Sequence, residues 1–308
     1  MRSSKGSRWQ LAKPPSRKLD LEGLSVAQAK EKCRKALIDA GQTDTPGLDA
    51  RLLLEKATSF DQIAQILHFD TILTKEQAVS LETALHLRLA NEPMAYILGK
   101  KEFYSRTFKV DKRVLIPRPD TEILVETALV FARSLKKKPH IIDVCTGSGA
   151  IGITLAAELE ESEVTITDLS ADALAVAEEN ARLLLGHPLK QVEGNLLCQV
   201  SEKYDIIISN PPYLTAGWCD EVSQEVRKEP RLALEGFGFD GLDCIRDLIG
   251  QSIGHLTKGG ALMLECDYRQ TAVVRDLLET SGFSKIQIIK DLSAKERVVW
   301  GILTCTSN

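Results

Sequence analysis

An apolar run that ends at two adjacent prolines limits the possible folds of this chain more than any other stretch. Tyr204-Asp-Ile-Ile-Ile-Ser-Asn-Pro-Pro-Tyr-Leu214 contains three consecutive isoleucines, Ile206 to Ile208. Such a run has no solvent face, so it reads as a strand buried on both sides, as in a parallel sheet covered by helices. Pro211 and Pro212 then end regular structure, because neither has an N–H to donate and the second restricts the backbone of the first. The corner lies at the carboxyl end of a strand, where open α/β sheets hold their ligands. There Asn210 offers an amide oxygen as acceptor and an NH2 as donor, and Tyr213 offers a flat ring. A planar group carrying an NH2, such as an amide or an adenine, suits this corner. Asn-Pro alone reads more simply as a strand-ending turn. The full tetrapeptide after this strand favours the functional reading.

Sixty residues upstream, His140-Ile-Ile-Asp-Val-Cys-Thr-Gly-Ser-Gly-Ala-Ile-Gly-Ile153 reads as a strand, a glycine turn and a helix running to about Glu160. Asp168 ends the next strand, after Val164-Thr-Ile-Thr. Gly147, Gly149 and Gly152 spell the dinucleotide fingerprint, with the acidic residue about 20 positions on. An NAD-linked oxidoreductase is therefore a real competitor, since glycines and a ribose-binding carboxylate suit NAD and S-adenosylmethionine alike. Asp143, inside the first strand, discriminates between them. A carboxylate there suits a cationic, methionine-like ligand better than a pyrophosphate, which prefers bare N–H groups at a helix N-terminus. With the Asn-Pro-Pro-Tyr corner, this favours S-adenosylmethionine.

The chain has 308 residues, which suggests two domains, and no apolar run approaches the roughly 20 residues needed to span a bilayer. Seven cysteines without a C-x-x-C pair favour reduced thiols in the cytoplasm over a disulfide or zinc framework. The five histidines have no metal-like spacing, and no metal site is expected. The formal charge is −4, yet the first 18 residues hold Arg2, Lys5, Arg8, Lys13, Arg17, Lys18 and no acid, leaving about −10 on the remainder. Such a body is ill suited to gripping DNA phosphates. Residues 1–19, rich in serine and proline, read as a disordered basic tail; an organelle-targeting leader is the lesser alternative.

Residues 20–98 read as a helical domain. Ser25 with Gln28 and Thr74 with Gln77 form capping boxes ahead of apolar stripes, Thr45-Pro46 opens a second helix, and a third covers about 61–68. Residues 99–116 alternate like a β-hairpin linking this bundle to a catalytic domain over 117–308. A helix from Thr121 to about Leu135 opens that domain, and strands over 286–289 and 297–303 close it.

Several blocks together resemble the release factor glutamine methyltransferases, the PrmC/HemK family of protein N(5)-glutamine methyltransferases. They are Ile116-Pro-Arg-Pro-Asp-Thr-Glu122, Asp143 to Gly152, Asp168, Asn210 to Tyr213, Glu229-Pro-Arg-Leu-Ala-Leu234 with Gly238-Phe-Asp-Gly-Leu242, and Gly259-Gly-Ala-Leu-Met-Leu-Glu265. The likeness runs from about residue 20 to the C-terminus. Asn-Pro-Pro-Tyr also occurs in adenine-N6 DNA methyltransferases, so the first and fifth blocks narrow the match. Cys145 stands where the family usually has glycine, Asn195 where an acid is common, Leu196 where an aromatic is common, and Asp267 where a glycine is usual.

The resemblance implies an α/β fold: a seven-stranded, Rossmann-like class I S-adenosylmethionine-dependent methyltransferase domain whose last strand is antiparallel, preceded by a small helical bundle that docks the protein substrate. It implies a monomeric cytoplasmic enzyme whose partners are peptide chain release factors, methylated on the glutamine of a Gly-Gly-Gln motif. Asn210, Pro211 and Tyr213 are the expected catalytic residues, and Asn210, Pro211, Pro212 and Tyr213 the expected substrate-binding ones. Asp143, Cys145, Thr146, Gly147, Ser148, Gly149, Asp168, Asn195, Leu196 and Asn210 are expected around the cofactor. Arg118 and Glu122 are expected to brace the mouth of the site or to form a structural ion pair. Glu229-Pro230 should end a loop covering the substrate, and Glu265 should end a strand near the cofactor without acting in catalysis. An adenine-N6 nucleic-acid methyltransferase is the main alternative, an NAD-dependent oxidoreductase the next, and a non-catalytic scaffold the weakest.

Overall fold

The structure, a computed structural model, describes residues 20–41 and 43–304. The basic tail read over 1–19 lies outside the described residues. The chain divides into two compact units, residues 1–98 and 99–308.

In the first unit, α1 (Val26–Ala40), α2 (Pro46–Thr58), α3 (Gln62–Leu67), α4 (Lys75–Leu89) and α5 (Met94–Leu98) pack as a bundle. Both capping boxes form: Ser25 with Gln28, and Thr74 with Gln77, each satisfy two amides at a helix start. Pro46 occupies the first turn of α2, where no N–H is required. The apolar stripes converge on Val26, Cys33, Leu37, Leu53, Leu54, Leu81 and Leu85. A buried Arg88–Asp49 ion pair at 2.7 Å joins α4 to α2.

The second unit begins with β1 (Lys100–Phe103) and β2 (Arg106–Lys109), an antiparallel hairpin turned by Tyr104 and Ser105, both with positive φ. That conformation matches the twist of a two-residue hairpin. Phe103 and Phe108 meet edge-on at 6.0 Å and are buried in the same core as α6 (Glu122–Ser134). Then follow β3 (His140–Val144), α7 (Ala150–Glu158), β4 (Glu163–Asp168), α8 (Ala171–Leu185), β5 (Lys190–Glu193), β6 (Tyr204–Ser209), α9 (Ala216–Glu221), α10 (Asp243–His255), β7 (Leu256–Glu265), α11 (Thr271–Thr280), β8 (Phe283–Lys290) and β9 (Glu296–Leu303).

The sheet has seven strands in the order β5-β4-β3-β6-β7-β9-β8, parallel except for β9, which runs antiparallel to both neighbours. This is the class I methyltransferase arrangement. The antiparallel strand set between β7 and β8 departs from the dinucleotide-binding order, in which the strands continue in sequence. Every residue of β6 is buried, as its isoleucine run requires, because parallel neighbours flank it and helices cover both faces. From β3 the chain steps outward to β5 and then returns to place β6 on the other side of β3. That reversal opens a crevice at the carboxyl ends of β3 and β6, the expected seat of a ligand.

Candidate active site

A cavity of about 470 Å³ fills this crevice. It lies within the range of small-molecule sites, roughly 300–1,000 Å³. Its wall takes residues from the ends of four strands: Cys145 and Gly147 after β3, Asp168 and Leu169 after β4, Asn195 and Leu196 after β5, and Asn210 and Pro212 after β6. A second cavity of about 140 Å³ is lined by Leu115, Arg118, Asn210, Tyr213, Leu214 and Ala233, among others. Asn210 is common to both.

The loop after β3 is held from below. Asp143 is fully buried, and its Oδ2 accepts from the Thr146 hydroxyl at 2.6 Å and the Gly152 amide at 2.9 Å. Its Oδ1 has no partner, and burial pushes the carboxyl up to about 7 against the pull of those two hydrogen bonds. Asp143 therefore sits under the loop rather than in the cavity wall, together with buried Thr146 and Ser148. Gly149 caps α7, outside the wall. A Cβ on Gly152 would stand 2.7 Å from Ile166 and 3.2 Å from Asp143, so this glycine serves helix–strand packing. Cys145 and Leu196 both take positive φ, 59° and 56°, a conformation that L-residues adopt at a cost of about 1–2 kcal/mol.

Asp168 meets the loop from the side. It accepts from the Gly147 and Ser170 amides, both at 2.9 Å, and burial raises its pKa against those bonds. The charged residues on the larger cavity are Asp168, Asp243 and Asp247 against Arg113 alone. That balance suits a cationic ligand and opposes a pyrophosphate. Leu169 and Leu196 add apolar surface for a planar base. The donor set therefore fits S-adenosylmethionine: a carboxylate for ribose hydroxyls, an apolar slot and a net negative wall.

The corner after β6 is fastened at several points. The Asn210 Nδ2 donates to the Thr121 hydroxyl at 3.1 Å, leaving its amide oxygen unused by that contact. Pro211 is buried, and Pro212 and Tyr213 are half-buried. The Tyr213 hydroxyl donates to Glu265 Oε1 at 3.4 Å, and its pKa is pushed up by burial and by the Glu265 charge. Gln270 Nε2 donates to the carbonyls of Tyr213 and Asp240, both at 2.8 Å, tying the corner to the loop before α10. At Gly236 that loop lies so close that a Cβ would meet the Pro212 carbonyl at 2.6 Å.

Arg118 and Glu122 do not pair with each other. Arg118 binds Glu229, whose carboxylate also accepts from the Ile116 amide at 3.0 Å. Glu122 accepts from the Tyr104 amide at 2.8 Å and braces the β1–β2 turn. Burial raises the Glu229 pKa, opposed by Arg118. Thr121, Gln270 and the position of Glu265 beneath Tyr213 are the features that sequence patterns do not reveal. The resemblance block ending Asp120-Thr121-Glu122 is the one signal that could have drawn attention to Thr121. Among the described residues no cluster of His, Cys, Asp and Glu could hold a metal ion, and no helix is long and apolar enough to cross a membrane.

Comparison with known proteins accords with this geometry. Residues 121–236 match the Methyltransferase small domain and residues 28–99 the PrmC N-terminal domain. The release factor glutamine methyltransferase of Deinococcus radiodurans is 38% identical over 255 residues, 83% of this chain and 90% of that one. That of Neisseria gonorrhoeae is 38% identical over 264 residues, 85% of this chain and 95% of the other. Among solved structures, a methyltransferase from Pyrococcus furiosus aligns at 17% identity and a TM-score of 0.49, over 66% of this chain and 91% of that chain. At 38% identity across nearly the whole length of both relatives, the chain belongs to the release factor glutamine methyltransferase family.

Proposed function

We propose that this protein transfers a methyl group from S-adenosylmethionine to the side-chain amide nitrogen of the glutamine in the Gly-Gly-Gln motif of peptide chain release factors. The observation that carries this reading is the position of Asn210 between a cofactor-sized cavity and a smaller, glutamine-sized one, with its NH2 tied to Thr121. The names of the relatives and their length coverage support the same acceptor. Bound in the larger cavity, S-adenosylmethionine supplies an electrophilic methyl on a sulfonium centre.

An amide nitrogen is a weak nucleophile because its lone pair is delocalised into the carbonyl. The Asn210 amide oxygen and the Pro211 backbone carbonyl accept its two hydrogens, which aims the lone pair at the methyl and favours positive charge on nitrogen. Positioning of this kind contributes roughly 7–11 kcal/mol in favourable cases. Tyr213 packs on the flat amide and limits its rotation, while Pro212 shapes the wall. Asp168 holds the ribose, with Cys145, Gly147, Asn195 and Leu196 around the rest of the cofactor. Asp143, Thr146, Ser148 and Gly149 keep that loop in shape. Among the described residues, the wall of the smaller cavity carries no His, Asp or Glu, so no general base stands beside the acceptor; the proton leaves to water after transfer.

The helical unit docks the release factor, and the enzyme acts in the cytoplasm as a monomer in this reading. The acidic balance of the chain argues for a protein partner over DNA. Methyl transfer from labelled S-adenosylmethionine to a purified release factor tests it. Label on the wild-type factor and none on a factor with the Gly-Gly-Gln glutamine replaced is the expected result. Label on DNA or RNA instead would favour the adenine-N6 alternative.

A further inference from the structure

Among the described residues, the wall of the larger cavity carries a single aromatic side chain, that of Phe237. It stands in the loop over residues 234–242, ahead of α10. Phe237 is 52% exposed, although a large apolar side chain gains by leaving water. Its φ is +60°, in the left-handed region that costs an L-residue free energy and a glycine none.

The loop around it is fixed. The Gly236 amide donates to the Leu214 carbonyl at 3.0 Å, and the Gly236 carbonyl accepts from the Cys244 amide at 3.1 Å. A Cβ on Gly236 would stand 2.0 Å from the Gly241 carbonyl oxygen, and one on Gly241 would stand 2.5 Å from that of Tyr213. Both ends of the loop are thus pressed against each other and against the Asn-Pro-Pro-Tyr corner. Asp240 is held by Arg246 at 2.9 Å and, through its carbonyl, by Gln270 at 2.8 Å. A glycine would meet the backbone set at residue 237 without strain. A strained backbone kept at an exposed aromatic residue on a ligand cavity points to contact with the ligand.

The two halves of S-adenosylmethionine have different needs. Its sulfonium must face the acceptor corner, where Asn210 and Tyr213 stand. Its adenine is a planar base, and stacking on an aromatic ring suits any base. Leu169 and Leu196 offer that base apolar surface, but Phe237 offers the π face.

We infer that Phe237 is a cofactor-binding residue whose ring packs on the adenine of S-adenosylmethionine, held there by a loop anchored at both ends. This rests on S-adenosylmethionine occupying the larger cavity and is independent of which group accepts the methyl.

The test is calorimetric titration of the full-length protein with S-adenosylmethionine and with S-adenosylhomocysteine, which keeps the adenosine and lacks the sulfonium charge. Phe237→Gly removes the ring and the strain together. Its Kd should rise about 10-fold for both ligands, the scale of one lost base–aromatic stack. In thermal unfolding without ligand it should be no less stable than wild type, because relief of strain offsets the greater freedom of glycine in the unfolded chain. Phe237→Tyr keeps the ring and should bind both ligands within about threefold of wild type, while Phe237→Leu should lie nearer the glycine variant. Wild-type affinity in Phe237→Gly overturns the assignment, as does a loss confined to S-adenosylmethionine or one accompanied by a fall in stability. Should the glycine variant not fold, equal Kd values for Phe237→Tyr and Phe237→Leu overturn it. Asp168→Ala is the reference for the cavity itself. Weaker binding there with none at Phe237→Gly overturns this inference alone, and no change at either position overturns the placement of the cofactor as well.

Discussion

Asn210 Nδ2 and Thr121 Oγ1 are 3.1 Å apart although 89 residues of chain separate them. The bond joins the first residue after β6 to the turn before α6, and with Nδ2 as donor it leaves the asparagine amide oxygen outside that contact. Thr121 is itself buried, so the pairing is shielded from competing water.

Removing the asparagine amide should therefore affect chemistry more than binding. Asn210→Ala is expected to lower kcat by about 10²–10³-fold, the loss typical of a preorganised polar group at the reacting atoms. Cofactor affinity, measured by calorimetric titration, should change only a few-fold. A variant with unchanged turnover would remove Asn210 from the mechanism.

Asp168 should behave in the opposite way. Loss of a charged hydrogen-bonding group is worth roughly 1.5–3 kcal/mol, so Asp168→Ala should weaken S-adenosylmethionine by about 10–100-fold. At saturating cofactor its kcat should lie near that of wild type. Equal cofactor affinity in the two proteins would refute the ribose assignment.

Gln270 links the Tyr213 and Asp240 carbonyls, and it is buried. Gln270→Leu leaves both without that donor and is expected to destabilise the protein by roughly 1–3 kcal/mol in denaturant unfolding. KM for the release factor should rise, because the loop at Gly236–Gly241 loses its tie to the Asn-Pro-Pro-Tyr corner. A variant as stable as wild type would show that the clamp contributes nothing.

Asp143 makes stability depend on pH. Its carboxyl has an ordinary value of 3.8 and is raised to about 7 in the fold by burial. The folded protein therefore binds this proton more tightly than the unfolded chain does. The contribution is fully present below 3.8 and is lost as pH rises to about 7. Glu265 acts in the same direction, with a folded value also near 7. Asp143→Asn should flatten part of the decline in Tm between these limits, as read by thermal unfolding across that range. An unchanged slope would mean that Asp143 titrates alike in both states.

The parts of the molecule legible in the sequence are those whose causes are local. The capping boxes at Ser25 and Thr74 are satisfied within four residues, and both form. The isoleucines of β6 had to be buried on two sides, and they are. The Asn-Pro-Pro-Tyr corner and the glycine turn meet at one crevice, as strand-end ligand sites require. Asp143 shows where such reasoning stops: its carboxylate suggested a ligand contact, yet its bonds go to Thr146 and Gly152. Arg118 and Glu122, read as bracing the site mouth or as an ion pair, have separate partners, Glu229 and the Tyr104 amide.

By itself, then, the sequence determined the elements, the glycine loop after β3 and the Asn-Pro-Pro-Tyr corner after β6, because propensity, capping and periodicity act over a few residues. The tertiary structure alone decided that Thr121 meets Asn210, that Glu265 lies beneath Tyr213 and that Gln270 clamps the loop. Those partners come from β7, from the start of α11 and from the turn before α6. Their meeting depends on β6 lying between β3 and β7, an order set by the burial of whole strand faces, which no short pattern of residues encodes.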